Sequence, residues 1–351
     1  MRAAVYHGPH DVRIEDLPRP RPGAGEVLLR VLRSGMCGTD ATEWKAGPKT
    51  FPVDRRHPVT GHSGPMVFGH EFIGEVVEQG ESATTPLGAV VASGAGVSCG
   101  TCDRCLQGRT NLCRSYYTLG LNLAGGMAEF VAVPESTLVP VPEGLSPDAA
   151  GLAQPVAVGL HGARRAGARD GDRVVLIGAG AIGTFLLTGL RSLADVDLTV
   201  VDFAGPRLER AGRLGADRLV EAGPEAGDHV RDVVASPGAD VVIEASGAPG
   251  QLAAALTMVR PGGTVLQVGL PAGPQEIDVW SLVMREVTVQ TTLAHVCGAD
   301  LAPALDILGG TPLAAELLEG VFPLGRLAEQ LDRLASGQLE GKILFDPTLE
   351  G

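Results

Sequence analysis

The sequence predicts an α/β plus β fold, in which an antiparallel β-barrel domain is combined with a doubly wound parallel-sheet domain. The first part of the chain is rich in Gly, Pro and short β-branched runs, a pattern typical of antiparallel barrels. After about residue 150, apolar strands alternate with helical stretches, which is typical of a doubly wound parallel sheet. The length of 351 residues also favours two domains over a single core.

The first domain is predicted from four short apolar runs, each bounded by turn-forming residues. These strands cover residues 26–31, 74–78, 89–92 and 129–133. Pro140, Pro142 and Pro147 then mark a stiff connector, after which the pattern changes. We therefore expect the first barrel-like segment to end near residue 150.

The second domain is predicted from strands that alternate with helices. The expected strands are residues 173–177, 198–202, 240–244, 264–268 and 287–291. The segments between them, such as 207–214 and 251–259, carry apolar residues at helical spacing. Further helices are expected over 301–308 and 324–335. A lone strand at 341–347 follows so late that it could rejoin the first domain.

Composition and charge exclude several classes of protein. The chain is 44% hydrophobic and 20% charged, as expected for a globular protein. Its formal net charge is −13 and no basic stripe is present, so nucleic acids and anionic membranes are poor partners. The longest apolar stretch, residues 174–190, is interrupted by four glycines and indicates a buried strand and helix rather than a membrane span. The N-terminal residues do not resemble a signal peptide, which favours the cytoplasm.

Four cysteines follow the spacing C-x2-C-x2-C-x7-C and predict a structural zinc site. They are Cys99, Cys102, Cys105 and Cys113. Four thiolates on one short loop suit a closed tetrahedral Zn²⁺ site. Disulfides, a redox C-x-x-C pair and an iron–sulfur cluster are the alternatives for this spacing. Disulfides fit poorly, because nothing else in the sequence is typical of a secreted protein.

A glycine triad directly after an apolar strand predicts a dinucleotide site. Gly178, Gly180 and Gly183 follow the spacing G-x-G-x-x-G, with Ala181 and Ile182 inside it. The first glycine makes the tight turn, the second lets the backbone approach a pyrophosphate, and the third allows close packing of helix on strand. The following helix presents unpaired N–H groups to that anion. The alternative is a turn that needs glycine only for packing.

A carboxylate about 20 residues after the triad supports the dinucleotide site and indicates NAD. Asp202 ends the next strand, where it is expected to bind both ribose hydroxyls and to repel the 2′-phosphate of NADP. Arg207 either stacks on the adenine or is a solvated helix residue. Ser246, Val268 and Gly269 lie in later strand-to-helix turns, where the nicotinamide half is expected to rest.

Cys37 in Gly-Met-Cys-Gly-Thr-Asp and His70 in Gly-His-Glu-Phe complete a recognisable set of motifs. With the cysteine quartet and the glycine triad, they make the chain resemble the zinc-containing medium-chain alcohol/polyol dehydrogenases, from Met1 to the late strand. The long insert at 44–68 is similar to that of the (R,R)-2,3-butanediol/sorbitol dehydrogenase-like subgroup. The resemblance implies a chaperonin-10-like antiparallel β-barrel catalytic domain with an inserted doubly wound Rossmann domain.

The resemblance also implies domain boundaries and the chemistry of the site. The catalytic domain comprises residues 1–150 and 295–351, and the NAD-binding domain comprises residues 151–294, with a catalytic zinc in the cleft between them. By match to the family, that zinc acts as a Lewis acid on the alcohol oxygen, and hydride passes to the nicotinamide. The cysteine quartet matches the family's structural zinc lobe.

Individual roles follow from the match of motifs. Cys37 and His70 match the first two ligands of the catalytic zinc. Glu71 matches a nearby carboxylate that is either an alternative ligand or an outer group. Thr39 matches the hydroxyl that takes the proton of the alcohol, and Asp40 is expected to orient its neighbours rather than to act as an acid.

The sequence departs from the family pattern at the third zinc ligand. The family normally has Glu or Cys just before a proline, and this chain has Gln154 before Pro155. With a thiolate, an imidazole and an amide as ligands, the site is more positive by one charge than with Glu. Three outcomes remain open: Gln154 coordinates the zinc, Glu71 replaces it, or the catalytic metal is weakly bound or absent.

A second departure concerns the proton relay and the long insert. Thr42 stands where the family often has a relay histidine, and threonine cannot hold a charge at neutral pH. His57 and His62 in the insert either substitute for it or are solvated loop residues. His295 is a weaker candidate for a substrate contact. Candidate pocket walls, each equally consistent with ordinary core, are Trp44, Phe51, Tyr116 and Leu119.

The expected function is therefore that of an NAD-dependent, zinc-dependent oxidoreductase acting on a secondary alcohol, diol or polyol. The expected cofactors are one catalytic Zn²⁺, one structural Zn²⁺ and NAD, and the expected assembly is a homodimer or homotetramer. Two alternatives stay open. One is a redox-neutral epimerase or lyase that keeps its NAD, and the other is a non-catalytic NAD-binding protein.

Overall fold

The computed structural model describes residues 1–223 and 225–350, and the chain divides into two compact units. The first unit is Met1–Ala157 together with Val296–Gly351, and the second is Val158–His295. The predicted combination of an antiparallel β-barrel and a doubly wound sheet is confirmed. No helix in the described part of the chain is long and apolar enough to cross a membrane.

The N-terminal part of the first unit is dominated by short strands. These are β1 (Arg2–Gly8), β2 (Asp11–Asp16), β3 (Glu26–Gly35), β4 (Met66–Val67), β5 (Glu71–Gln79), β6 (Val90–Ser93), β7 (Gly96–Val97), β8 (Tyr117–Thr118), β9 (Phe130–Pro134) and β10 (Leu138–Pro140). The helices are α1 (Gly38–Ala46), α2 (Asp103–Leu106), α3 (Pro147–Ala150) and the start of α4 (Ala153–Ala166), with 3₁₀ turns at Thr110–Leu112 and Glu135–Thr137. The chain passes into the second unit within α4.

The second unit is the doubly wound domain. Its strands are β11 (Arg173–Ile177), β12 (Asp197–Asp202), β13 (Arg218–Glu221), β14 (Ala239–Glu244), β15 (Val259–Gln267) and β16 (Thr288–Thr291). Its further helices are α5 (Ala181–Leu193), α6 (Pro206–Arg213), α7 (Ala226–Val234), α8 (Gln251–Met258) and α9 (Val279–Arg285). All neighbouring strands are parallel, in the order β13-β12-β11-β14-β15-β16. Because the order reverses between β11 and β14, a crevice forms at their carboxyl ends.

The chain then returns to the first unit. This segment contains α10 (Cys297–Gly310), α11 (Leu313–Leu317), β17 (Leu318–Phe322), a 3₁₀ turn (Leu324–Arg326), α12 (Leu327–Ala335) and β18 (Lys342–Phe345). The late strand β18 pairs antiparallel with β3, so the prediction that it could rejoin the first domain is confirmed. The main sheet of this unit runs β10-β6-β5-β3-β18-β17, and β9 also pairs with β3.

Each unit has its own apolar core. In the first unit, one cluster joins Tyr6, Phe51 and Phe68 to Phe345 and Leu331 of the returning segment. In the second unit, the core is built from the β-branched residues of the parallel sheet and the helices that cover it. Each fully buried side chain of this size contributes about 1.5–3 kcal/mol relative to exposure, so the returning segment is held firmly to the barrel.

Candidate active site and metal centres

The cysteine quartet forms a compact group on the loop around α2. The sulfur atoms of Cys99 and Cys113 lie 3.5 Å apart, and those of Cys102 and Cys105 lie 3.6 Å apart. A tetrahedral site with Zn–S bonds of ~2.3 Å has sulfur–sulfur edges of ~3.8 Å, so the spacing fits zinc. These distances are far longer than a disulfide bond of ~2.05 Å, and all four cysteines are free thiols.

Backbone amides around the lobe also favour thiolates. The N–H of Cys102 donates to the sulfur of Cys99 at 3.3 Å, and the N–H groups of Cys99 and Ser115 donate to the sulfur of Cys113. Hydrogen bonds from the backbone of Thr101 and then of Cys102 lower the pKa of Cys99 to about 6. Burial raises the pKa of Cys105 to about 11, so holding all four sulfur atoms as thiolates requires a bound cation.

A second group of potential metal ligands is created by the register of two strands. Gly35 at the end of β3 lies opposite Glu71 at the start of β5. Cys37 follows one strand and His70 precedes the other, so their side chains meet. One ligand atom from each of Cys37, His70 and Glu71 lies within 4.8 Å of the others. The structure thus brings together three residues that the sequence singled out.

Helix α1 begins at this cluster and fixes its geometry. Asp40 accepts a hydrogen bond from the backbone N–H of Cys37 at 2.9 Å, which closes the first turn of the helix. The other oxygen of Asp40 lies 3.7 Å from Nδ1 of His70, and neither atom has a hydrogen-bond partner among the described residues. The hydroxyl of Thr39 lies 3.9 Å from the sulfur of Cys37. A thiol, an imidazole and a hydroxyl therefore share one buried corner.

Burial controls the protonation of this corner. It raises the pKa of the Cys37 thiol, and the negative charge of Glu71 adds to the effect. It also raises the pKa of Asp40 to about 7, against the opposing influence of His70. A buried cluster of two acids and a thiol is stable as anions only with added positive charge. A thiolate and an imidazole are both ligands that zinc binds well, so Cys37 and His70 fit that ion.

Part of the positive charge comes from Lys342, which sequence analysis did not identify as a site residue. Its ammonium donates to the two oxygens of Glu71 at 2.8 and 2.6 Å and to the carbonyl of Met36 at 2.5 Å. Lys342 is 6% exposed and Glu71 is 1% exposed. Gly35 allows this approach, because a Cβ there would lie 2.4 Å from Oε2 of Glu71. The only sequence signal for this role is a lysine at the start of an otherwise apolar strand.

Gln154 lies in the first turn of α4, next to Pro155, as the local sequence predicts. Its side chain is buried, with 8% of the residue exposed. An amide buried at a helix start suits a neutral ligand or a structural contact equally.

The glycine triad has the geometry of a phosphate-binding turn. Gly178 follows β11 with φ of +98°, which only glycine adopts readily. A Cβ at Gly183 would lie 1.8 Å from the carbonyl oxygen of Gly178, so the third glycine is required for packing. Gly180 is the N-cap of α5, and nothing lies within 4 Å of a Cβ built there. Open space suited to a pyrophosphate therefore lies beside the start of α5, where the N–H groups include those of Ala181 and Ile182.

The carboxylate of Asp202 is hydrogen-bonded to the glycine-rich turn. One of its oxygens accepts from the N–H of Ala179 at 2.6 Å and the other from that of Phe203 at 2.7 Å. These bonds hold the carboxylate at the end of β12, where a ribose is expected. Arg207 is the second residue of α6 and is half-buried.

The later strand-to-helix turns are organised by Glu244, a second residue that sequence analysis missed. Its buried carboxylate accepts from the N–H of Ser246 at 2.7 Å, from that of Gly247 at 3.0 Å and from the amide of Gln267 at 2.5 Å. The N–H groups of Val268 and Gly269 donate to its carbonyl. Glu244 thus joins the two turns predicted to hold the nicotinamide half.

Comparison with known proteins agrees with this arrangement. Residues 23–143 match the family model described as an alcohol dehydrogenase GroES-like domain, and residues 181–308 match the one described as a zinc-binding dehydrogenase. (R,R)-butanediol dehydrogenase of Bacillus subtilis is 32% identical over 311 residues, which is 87% of each chain. The chain belongs to the zinc-dependent medium-chain alcohol dehydrogenases.

Two further similarities cover nearly the whole of this dehydrogenase. L-threonine 3-dehydrogenase of Saccharopolyspora erythraea is 31% identical over 99% of this chain and 100% of its own. The crystal structure of 2R,3R-butanediol dehydrogenase from Bacillus subtilis superposes with a TM-score of 0.90, at 29% identity and 99% coverage of both chains. The protein is therefore an enzyme, an oxidoreductase whose cofactors are zinc and a nicotinamide dinucleotide.

The long insert of this dehydrogenase is held by its own hydrogen bonds. Nδ1 of His57 accepts from the N–H of Thr60, and Nε2 of His62 lies 3.2 Å from the carbonyl oxygen of Gly64. Both imidazoles therefore contact their own loop. Trp44 and Phe51 belong to the apolar core of the first unit. Leu119 is also fully buried, in a neighbouring cluster.

Proposed function

We propose that this enzyme interconverts a secondary alcohol, diol or polyol with its ketone by hydride transfer to and from NAD. The observation that carries the proposal is the buried corner in which Cys37, His70 and the hydroxyl of Thr39 meet. That corner offers a soft anionic ligand, a neutral nitrogen ligand and a proton acceptor within a few ångströms of one another. The named relatives act on small hydroxylated compounds, which agrees with this substrate class.

The roles of the residues follow from their contacts. When bound, Zn²⁺ supplies Lewis acidity to the substrate oxygen, and the coenzyme accepts the hydride. Cys37 and His70 would hold the ion, and Asp40 would hold the imidazole by facing its Nδ1. Thr39 would relay the proton of the alcohol, accepting it at the hydroxyl oxygen while its own hydroxyl proton passes to water. Thr42 lies one turn further along α1 and is exposed, so the proton leaves to water beside it.

For the third ligand, we propose Gln154 rather than Glu71. Lys342 donates to both oxygens of Glu71, so moving this carboxylate onto an ion would leave a buried ammonium with fewer partners. Glu71 would then act as an outer group that lowers the charge of the site without binding the metal. Gln154 has no comparable ion pair to break.

For the coenzyme, we propose NAD rather than NADP. The carboxylate of Asp202 ends β12 and is held there by the N–H groups of Ala179 and Phe203. A 2′-phosphate beside this charge would be repelled, whereas ribose hydroxyls would donate to it. Gly178, Gly180 and Gly183 would hold the pyrophosphate, and Ser246, Val268 and Gly269 the nicotinamide half.

The two units would divide the work. The first unit would be the catalytic domain with the structural zinc at Cys99, Cys102, Cys105 and Cys113 and the catalytic zinc at Cys37. The second would bind the coenzyme. We further propose that the protein acts in a reducing compartment such as the cytoplasm, since a four-thiolate zinc site needs reduced cysteines.

We also propose that the protein is a homo-oligomer. In the second unit, Trp280, Val283 and Met284 on α9 are 72%, 69% and 64% exposed, and Leu270 is 91% exposed. The edge strand β16 follows α9 directly and has no neighbour on its outer side in the sheet of the described residues. Several exposed apolar side chains on a helix that precedes an open strand edge are suited to pairing with a second copy. Size-exclusion chromatography with light scattering tests this, and a Trp280→Glu variant should dissociate.

The proposed reaction is tested with a panel of vicinal diols, sugars and cyclic alcohols in the presence of NAD. Net formation of NADH, followed by its near-ultraviolet absorbance, supports the proposal, and it should be lost in Cys37→Ser. Coenzyme that stays bound without net reduction, together with epimerised or eliminated product, would contradict it in favour of a redox-neutral reaction.

A further inference from the structure

Two of the three lysines in this chain line the same cavity. The sequence contains only three lysines, and the other basic side chains are arginines or histidines. Lys342 is buried against Glu71. The remaining two, Lys45 and Lys49, both line the same cavity of about 440 Å³ in the first unit.

This cavity lies along the exposed face of α1, opposite the end of α12. Its lining includes Gly38 and Thr42 at one end, Lys45 and Lys49 at the other, and Leu334 and Ala335 from α12. The lining residues that the structure describes include no acidic side chain. The volume is sufficient for a small organic ligand.

The two ammonium groups are available to a ligand. Neither Lys45 nor Lys49 has a side-chain ion pair or hydrogen bond within residues 1–223 and 225–350. The carboxylates on the adjoining helices are committed elsewhere. Glu43 accepts from the N–H groups of Lys49 and Thr50, and Asp332 accepts from the indole of Trp44 at 2.7 Å. The chain has a net charge of −13, so a cavity lined, among the described residues, by two unpaired lysines and no acidic side chain is a positively charged region of a negatively charged protein.

One end of the cavity is next to the candidate catalytic corner along the chain, because Gly38 lines the cavity and stands between Cys37 and Thr39. Thr42 and Lys45 are three residues apart on α1 and line the same cavity, and Thr39 lies one turn before Thr42. Lys45 is six residues from Thr39, about 9 Å along the helix axis. Side chains on a helix lean toward its N-terminus, which for Lys45 is the direction of Thr42. A ligand in the cavity has Gly38 and Thr42 on one side and the two lysines on the other.

We propose that Lys45 and Lys49 bind the anionic group of the substrate, so that the preferred substrate is a hydroxy acid or a phosphate ester rather than a neutral alcohol. Carboxylate and phosphate share the chemistry that two ammonium groups recognise. The anionic group would be on the order of four to six bonds from the carbinol carbon, given the helical spacing. This inference rests on the proposed dehydrogenase activity, because the carbinol must lie near Thr39.

The test compares matched substrates with the zinc-loaded enzyme and NAD. The kcat/KM values for 5-hydroxyhexanoate and 2-hexanol, which differ in the terminal carboxylate, give a preference ratio. We expect the wild-type enzyme to favour the acid by at least tenfold, and the Lys45→Met/Lys49→Met variant to lose most of that preference. An Arg13→Met variant, which removes an exposed charge on β2, controls for net charge and should keep the ratio.

Calorimetric titration with inorganic phosphate tests the cavity without turnover. Binding that is lost in the double methionine variant and kept in Arg13→Met supports an anion site at the two lysines, and this result is independent of whether any alcohol is oxidised. Equal kcat/KM for acid and alcohol in an active wild-type enzyme would overturn it. Weaker binding of NAD to the double variant with an unchanged substrate ratio would also overturn it, because the lysines would then serve the coenzyme pyrophosphate.

Discussion

Lys342 donates hydrogen bonds to both carboxylate oxygens of Glu71, across 271 residues of sequence. The pair is buried beside Cys37 and His70, and the lysine comes from the last strand of the chain. It joins the returning C-terminal segment to the candidate metal centre by charge as well as by packing. A buried ion pair of this kind is costly to break by removing one partner only.

The Lys342→Met variant should therefore be much less stable. We expect a loss of about 3–5 kcal/mol in the free energy of unfolding, because Glu71 is left as an uncompensated buried charge. Denaturant unfolding at fixed zinc concentration measures it. The double variant Lys342→Met/Glu71→Gln should lose less than the sum of the two single variants. A strictly additive result would show that the two side chains do not interact.

The Gln154→Glu variant tests the charge of the catalytic centre. Glutamate as third ligand would remove one positive charge, so the centre would acidify the bound alcohol less. We expect the pKa that governs kcat/KM to rise by about one unit or more, so that the pH profile moves to more alkaline pH. We also expect tighter zinc binding. Turnover across pH and zinc content measure both. If both stay unchanged, Gln154 is not a ligand of the ion and does not set its charge.

Asp202→Asn should change the coenzyme preference. Loss of the carboxylate removes charged hydrogen bonds to the ribose, worth about 1.5–3 kcal/mol, so we expect KM for NAD to rise roughly tenfold to a hundredfold. KM for NADP should change less, because the substitution also removes the repulsion between the carboxylate of Asp202 and the 2′-phosphate. Asp197→Asn at the other end of β12 is the matched control. The same change in that control would assign the effect to the strand rather than to the ribose contact.

Tyr116 makes stability depend on alkaline pH. Burial raises its pKa to about 12, against an ordinary value of 10.0. The unfolded state therefore ionises first, and the stabilising contribution is complete below pH 10 and is lost as the pH rises toward 12. We expect this residue to account for about 2 kcal/mol of the decline across that window. Tyr116→Phe should show a shallower decline, and an identical slope would contradict the assignment.

Much of the fold could be predicted because its signals are local. β11 coincides with the predicted residues 173–177, and β18 lies within the predicted late strand. The short edge strand β13 was not predicted, since its charged residues Arg218 and Glu221 hide the apolar pattern. From β11 to β16 the chain follows the alternation of strands and helices expected for a doubly wound sheet.

Some of the candidate site residues could be predicted from the sequence, and others could not. The residues of the cysteine quartet, and those of the glycine triad, lie close together in the sequence at characteristic spacings, so the sequence indicates both sites directly. Lys342 and Glu244 were missed, because each acts through a partner that only tertiary structure brings near. The cavity at Lys45 and Lys49 likewise depends on α12 packing against α1. Contacts between distant segments leave no fixed spacing in a single sequence.

The zinc content of purified protein tests the central claim most directly, namely that Cys37 and His70 hold a metal separate from the cysteine lobe. Mass spectrometry of metals should find about two zinc ions per chain in the wild-type protein. It should find about one in Cys37→Ser and about one in Cys105→Ser, while Cys297→Ser keeps both. One zinc ion per wild-type chain, unchanged in Cys37→Ser and lost in Cys105→Ser, would contradict the account.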